Sequence, residues 1–428
     1  MYSATRRALV MLSTGVRASN QSGILDGLSG GSGSSVSVVV VVVAAAAEKP
    51  AESKTAEYSI SIACSSTEYT TIGTNAVMNF NYAAQLAFKN YVESASEGKI
   101  AVNIYTNSSL GNASEILLQC MQGVIECSTA GDSDLSNYYP NIQVFTIPYA
   151  FENRAEFYEF LDGAYSQNMF DEIAKSTGVK IIAAFDNGGF RNFSNNIHQI
   201  HTADDLKGLK IRCMQSASYI TTLETLGAVP TGLAFSELYS ALQTGVVDGQ
   251  ENSPLVMLDN SIYEQQKYYT LDGHSISPAF IIVNEKWLRS LPDDLQQVVL
   301  DGGKIAQTAA RGTIASTEGM ALNFLNEKGV EIYTPTQEER ETFKVAQQPV
   351  MEWLGSEIGD KAVSEFMDAL IEIEPADTQT VGTSVNVSGD RTNVVPYIVI
   401  IVLLVLALAV VLIKLKRTIK KYETNGII

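Results

Sequence analysis

The stretch VVPYIVIIVLLVLALAVVLI, Val394 to Ile413, is 20 residues without a charged side chain, and it decides the compartment in which everything before it must fold. At about 1.5 Å per residue, a helix of this length covers about 30 Å, one bilayer core. A buried helix of a soluble domain is the alternative, but an uncharged run this long near a chain end argues for a transmembrane helix. KLKRTIKK, Lys414 to Lys421, follows with five basic groups in eight residues, a cluster that stays on the cytoplasmic side. The body is then expected at the cell surface, extracytoplasmic, anchored in the cytoplasmic membrane by a single C-terminal helix, with 414–428 as a cytoplasmic basic tail. SVSVVVVVVAAAA, Ser35 to Ala47, has secretory h-region length and ends in small residues suited to cleavage. Residues 1–47 therefore read as a signal or leader segment, a second anchor being the alternative. Residues 48–57 read as a flexible leader and 374–393 as a polar, Gly- and Pro-containing linker. The folded body spans Tyr58 to Ile373.

Charge narrows the partners. Of the net −18, the last fifteen residues contribute +4 and the first 47 contribute +2, which leaves −24 on residues 48–413. A body this acidic repels nucleic acid, whose binding depends on neutralising phosphates, so no nucleic-acid partner is expected. Four cysteines, Cys64, Cys120, Cys127 and Cys213, lack metal-ligand spacing. Export would permit a disulfide, and Cys120 and Cys127 are close enough in sequence to form one.

Strand-like and helix-like segments alternate through the body. YSISIA (58–63), KIAVNIY (99–105), VIECSTA (124–130), VKIIAAF (179–185), LKIRCM (209–214), SPAFIIVN (277–284) and VEIYT (330–334) read as strands. Helices are expected from Asn75 to Ser96, over 113–123 with Gly123 as the stop, and from Asp293 to about Glu327. This is an α/β layout with mostly parallel sheets. Catalytic constellations are missing from it. Within 58–373 there is no Gly-x-Ser-x-Gly, no Walker loop and no Gly-x-Gly-x-x-Gly. His198 and His201 have His-x-x-His spacing without a third ligand, and GDSDLSNYYP (131–140) lacks the closing glutamate of an EF-hand. The chain is expected not to be an enzyme and to need no metal or cofactor.

What remains is a polar cluster and two arginines. In ALQTGVVDGQENSP, Ala241 to Pro254, two valines suggest a buried strand, yet Asp248, Gln250, Glu251 and Asn252 follow at once. Buried polar groups are unfavourable unless each finds a partner. Arg191 in NGGFRNFSN and Arg212 in DLKGLKIRCM both sit beside apolar residues. A planar guanidinium can hold a carboxylate through two parallel hydrogen bonds. An internal ion pair, with Asp204 or Asp205 for example, is the equal alternative.

The run from Gly188 to Pro254 resembles the extracytoplasmic solute-binding proteins of tripartite ATP-independent periplasmic (TRAP) transporters. GKIAVNIYTNSSLGNASEILLQCMQGVIE, VFTIPYAFEN and LPDDLQQVV resemble other pieces of that family, so the likeness covers nearly the whole body. It implies a two-lobed type II periplasmic-binding-protein-like fold, with strands and long helices crossing between lobes. Lobe I would hold 58–188 and 278–317, and lobe II would hold 189–277 and 318–373. The ligand would lie in the cleft between them.

The resemblance also places residues. Arg212 stands at the carboxylate-clamping arginine and Arg191 at a second, supporting one. Asn252 matches the asparagine that completes the carboxylate's hydrogen bonding, and Phe235 matches an aromatic packed on the ligand. Asn112 stands where sialic-acid-binding members have an aspartate, and Gly131 where they have a glutamate, which argues against a sialate ligand. His274 matches a histidine near the lobe junction, where a packed, hydrogen-bonded role is favoured over ligand contact. Asp248 and Glu251 are expected to make structural hydrogen bonds. The implied function is capture of a small organic acid and its delivery to integral-membrane TRAP permease subunits. A membrane-tethered sensor acting with a signalling partner is the alternative.

Overall fold

The apolar runs form strands, and the strands form two mixed sheets. In chain order they are β1 (Tyr58–Ala63), β2 (Tyr69–Ile72), β3 (Asn75–Met78), β4 (Ile100–Tyr105), β5 (Cys127–Gly131), β6 (Val179–Asp186) and β7 (Arg191–Asn195). The remainder are β8 (Lys210–Cys213), β9 (Val229–Gly232), β10 (Gly249–Asn252), β11 (Tyr268–Ser275), β12 (Pro278–Asn284) and β13 (Glu331–Tyr333). This computed structural model describes residues 56–72 and 75–373. The signal segment, the linker 374–393, the apolar run 394–413 and the basic tail lie outside them. Among the described residues, no helix is long and apolar enough to cross a membrane.

The first sheet has the order β4-β1-β5-β12-β6 and the second β13-β11-β7-β10-β8-β9, with β2 and β3 as a separate hairpin. The two large sheets are mixed, with parallel pairs β1–β4, β1–β5, β8–β10, β11–β13 and β8–β9 slightly outnumbering the antiparallel ones. Every antiparallel pair in the two large sheets contains β7 or β12. The reason is the crossing: β6 runs into β7 and β11 into β12, so the chain twice leaves one sheet and enters the other against its neighbours. The lobed α/β architecture therefore rests on two short crossings and one long helix.

That helix, Asp293–Glu327, has 35 residues and so is about 52 Å long. It packs along helix Phe80–Ala95 and β6, and Gly302 and Gly303 set how closely. A Cβ at Gly303 would lie 2.2 Å from the Ile182 carbonyl oxygen, and one at Gly302 would lie 2.7 Å from Val92 Cγ2. β12 is buried along its whole length, as a strand covered on both faces should be.

Three expectations change. Residues 75–78 do not open a helix but return as β3; Asn79 then caps the helix, its side chain accepting the Asn81 N–H at 2.8 Å. Val246 and Val247 precede β10 in a turn, Val246 being 56 % exposed and Val247 1 %. The segment 318–373 is divided: β13 pairs with β11 in the second sheet, but the end of the segment packs on the first. Its last helix, Asp360–Ile371, buries Phe366 edge-on against Phe145, Phe151, Phe160 and Tyr165, in the core of the first lobe.

Candidate functional site

β10 reads Gly-Gln-Glu-Asn and is buried at all four positions. It lies between β7 and β8, pairing Gln250 with Ser194 and with Arg212. Gly249 is required there: a Cβ would lie 2.1 Å from the Ser194 carbonyl oxygen. The polar side chains then find partners one by one. Asp248 accepts the Lys210 N–H at 2.9 Å. Gln250 Nε2 donates to Ser194 Oγ at 2.7 Å, and Asn252 Nδ2 donates to Gln250 Oε1 at 2.6 Å. Most of the cluster's polarity is thus internal architecture.

Glu251 is the centre of a buried ion network. Arg191 Nη2 donates to Glu251 Oε1 at 2.8 Å and to the Glu251 carbonyl at 2.7 Å, while Nε meets Oε2. His274 Nε2 lies 3.5 Å from Glu251 Oε2, and Nδ1 lies 2.9 Å from Asp272 Oδ2. Burial alone would raise the Glu251 carboxyl, but Arg191 and His274 overcome it and hold it at about 2. Burial likewise opposes charge on His274, yet Asp272 and Glu251 hold the imidazolium up to about 9. Arg191 and His274 are 0 % and 2 % exposed, and neither lines the cavity that Arg212 and Asn252 line. Arg191 was expected as a supporting arginine for the ligand, and His274 as a packed, hydrogen-bonded residue near the lobe junction. The carboxylate that Arg191 grips is the protein's own, and what it holds in place is the strand carrying Asn252.

Arg212 has the opposite surroundings. It sits in β8, 2 % exposed, and its acid partners expected by spacing are engaged elsewhere: Asp204 with Lys207 Nζ at 2.7 Å, and Asp205 with the Thr202 N–H at 2.9 Å. The guanidinium donates to one group, the Leu233 carbonyl, from Nε at 3.0 Å and Nη2 at 2.7 Å. That occupies the Nε/Nη2 edge and leaves Nη1 without a protein acceptor, in a residue that lines a cavity of ≈ 910 Å³, counting solvent at its mouth. Burial pushes the guanidinium down to about 10, only partly offset by Glu251. A buried cation without a carboxylate of its own is unfavourable.

Arg212, Asn252, Phe235 and Asn112 all line this cavity. Asn112 also caps helix Ala113–Gln122, its Oδ1 accepting the Glu115 N–H at 3.0 Å. Phe235 opens helix Phe235–Gln243, two residues after the Leu233 whose carbonyl anchors Arg212. Asn81, Asp132, Asp134 and Asp259 line the cavity as well and had no distinguishing signal in the sequence. All four cysteines are buried and free, Cys120 and Cys127 included.

Comparison with known proteins places the chain. The family model "Bacterial extracellular solute-binding protein, family 7" matches residues 74–357. The C4-dicarboxylate-binding periplasmic protein of Rhodobacter capsulatus is 29 % identical over 290 residues, 67 % of this chain and 85 % of that protein. The sugar acid binding protein of Advenella mimigardefordensis, solved with galactonate, superposes with a TM-score of 0.69 at 27 % identity, covering 74 % of this chain and 99 % of that one. A TRAP periplasmic solute-binding protein of Sulfurospirillum deleyianum, solved with succinate, superposes with a TM-score of 0.68 at 27 % identity, covering 73 % and 99 %.

Proposed function

Because this chain belongs to the bacterial extracellular solute-binding proteins of family 7, we propose that it captures a small organic acid outside the cytoplasm through Arg212 and hands it to TRAP permease subunits. The family is one of receptors, not enzymes. The observation that carries the clamp is the state of one guanidinium: buried, held at one edge by the Leu233 carbonyl, and without a protein carboxylate. A ligand carboxylate would take the remaining edge through two parallel charge-assisted hydrogen bonds. Asn252, Phe235 and Asn112 would complete the contacts from the same wall and mouth. Arg191 and His274 would act behind them, fixing β10.

The permease needs only to receive a loaded, closed receptor, so this chain requires no nucleotide. The apolar run 394–413 and the basic cluster after it support a membrane anchor. Confinement beside the permease would raise the receptor's effective concentration. One solved relative holds galactonate and another succinate.

Thermal-shift and calorimetric titration with a panel of organic acids tests the clamp, since a ligand that binds only the folded state raises its melting temperature. At least one acid should bind. Arg212→Ala should weaken that binding by about 100-fold or more, the loss of one charged hydrogen-bonded pair at about 3 kcal/mol, with the unliganded melting temperature kept or raised. Unchanged affinity in Arg212→Ala would remove the assignment.

A further inference from the structure

The cavity is lopsided in its hydrogen-bond chemistry. Arg212 is the one cation among its lining residues, while Asp132, Asp134 and Asp259 also line it. Two of these carboxylates are committed. Asp134 accepts the Gly131 N–H at 3.0 Å and the Ser114 hydroxyl at 2.9 Å. Asp259 accepts the Thr67 hydroxyl at 2.6 Å and Asn79 Nδ2 at 3.2 Å. Asp132 is not: Oδ2 accepts the Tyr219 hydroxyl at 3.0 Å, but the buried Oδ1 meets no donor.

Asn81 repeats the pattern. Its Nδ2 donates to Ser66 Oγ at 3.0 Å, and its Oδ1 is an acceptor, buried and without a donor. Orphaned buried acceptors are uncommon in folded proteins and cost about 1–3 kcal/mol each. Here two of them belong to residues of one cavity, 5 % and 1 % exposed, opposite in hydrogen-bond sense to the open edge of Arg212.

We propose that Asn81 and Asp132 determine specificity, accepting hydroxyl protons from a polyhydroxylated monocarboxylate whose acid group lies on Arg212, and that they exclude dicarboxylates. The assignment rests on the carboxylate reading of Arg212. A ligand carboxylate has no proton to donate. The second acid group of a dicarboxylate would set acceptor against acceptor, in a cavity whose single cation is already taken. Sites built to bond a hydroxyl reject analogues lacking it by as much as about 10⁴-fold, because the buried polar group is left unpaired.

Calorimetric titration of the full chain with D-gluconate, D-galactonate, butyrate and succinate tests this. At least one sugar acid should bind about 100-fold or more tightly than succinate or butyrate. Asp132→Asn replaces an acceptor oxygen by an N–H₂ donor, so it should weaken sugar-acid binding by about 100-fold and strengthen succinate by about 10-fold. A change in opposite directions is something a merely structural residue would not produce. Asn81→Leu provides a second variant, expected to lose sugar-acid affinity while leaving butyrate unchanged. Succinate binding within 10-fold of the best sugar acid, or an equal loss of both acids in Asp132→Asn, would overturn the proposal. If succinate binds the wild type and Arg212→Ala abolishes it, the receptor reading stands and only the hydroxyl assignment fails. If no acid binds, both fall.

Discussion

Removing the carboxylate at the centre of the buried network tests the role given to Arg191. Glu251→Gln keeps the shape of the side chain and deletes its charge, leaving Arg191 buried and unpaired. The ordinary value for a glutamate is 4.5, and in the fold Glu251 is held at about 2. At about 1.4 kcal/mol per pH unit this difference corresponds to roughly 3 kcal/mol, at the lower end of the roughly 3–5 kcal/mol expected for breaking a buried ion pair from one side. For a body of this size that is a fall in melting temperature of about 5 °C, readable by calorimetry at pH 6. Because the folded value is depressed, the Glu251 contribution is fully present above 4.5 and is lost as pH falls through 2. His274 behaves in the opposite sense: held up to about 9 against an ordinary 6.5, its contribution is complete below 6.5 and is lost as pH rises through 9. Wild-type stability should therefore peak between 4.5 and 6.5, with Glu251→Gln flattening the acid limb and weakening the alkaline one. The double variant Arg191→Met with Glu251→Met should recover most of the loss, since apolar replacement removes both desolvation penalties. A single-variant effect below 1 kcal/mol, or a double variant equal to the sum of the singles, would refute the network as what holds β10.

Two further substitutions probe the scaffold. Phe366→Ala opens a cavity among four aromatic rings and should cost about 3–5 kcal/mol in urea unfolding, with ligand affinity unchanged because none of those rings lines the cavity. Gly249→Ala forces a Cβ to 2.1 Å from the Ser194 carbonyl oxygen and 2.8 Å from Asn195 Cβ. It should cost about 3 kcal/mol and also weaken ligand binding, since β10 must move away from β7 and carries Asn252 with it.

The elements that periodicity governs were legible in the sequence, and those that depend on pairing were not. The helix at Ala113–Gln122 ends as its glycine suggests, with Gly123 at φ 73, and β6 and β12 are the continuous apolar runs they look like. The two arginines are the instructive case. Each sits beside apolar residues on a buried strand, and local composition cannot separate them. What separates them is strand order: antiparallel pairing of β10 with β7 sets Glu251 opposite Phe193, within reach of Arg191, although the two lie 60 residues apart. Arg212 faces Gln250 instead and is left without an acid. Asn81 and Asp132 were invisible for a related reason. Their significance lies in hydrogen bonds that are absent, and an absence appears only once every neighbour has been placed, including Tyr219, 87 residues from Asp132.

An acidic receptor for an anion raises a question of rate. Residues 48–413 carry −24, so at long range the body repels the solute that Arg212 would bind. A guanidinium only 2 % exposed projects little field beyond the cavity mouth, and recognition must therefore be a short-range event. Charge-steered association slows as salt is added; here the sign should reverse. Raising ionic strength from about 0.01 M to about 0.15 M shortens the Debye length from about 30 Å to about 8 Å. That screens the body's negative field while leaving the enclosed ion pair nearly untouched. Stopped-flow measurement of sugar-acid binding, followed through Trp287 or Trp353, should show an association rate that rises several-fold over this range and a dissociation rate that stays flat. An association rate that falls with salt would mean that local positive potential at the mouth dominates, and that capture begins before the solute reaches Arg212.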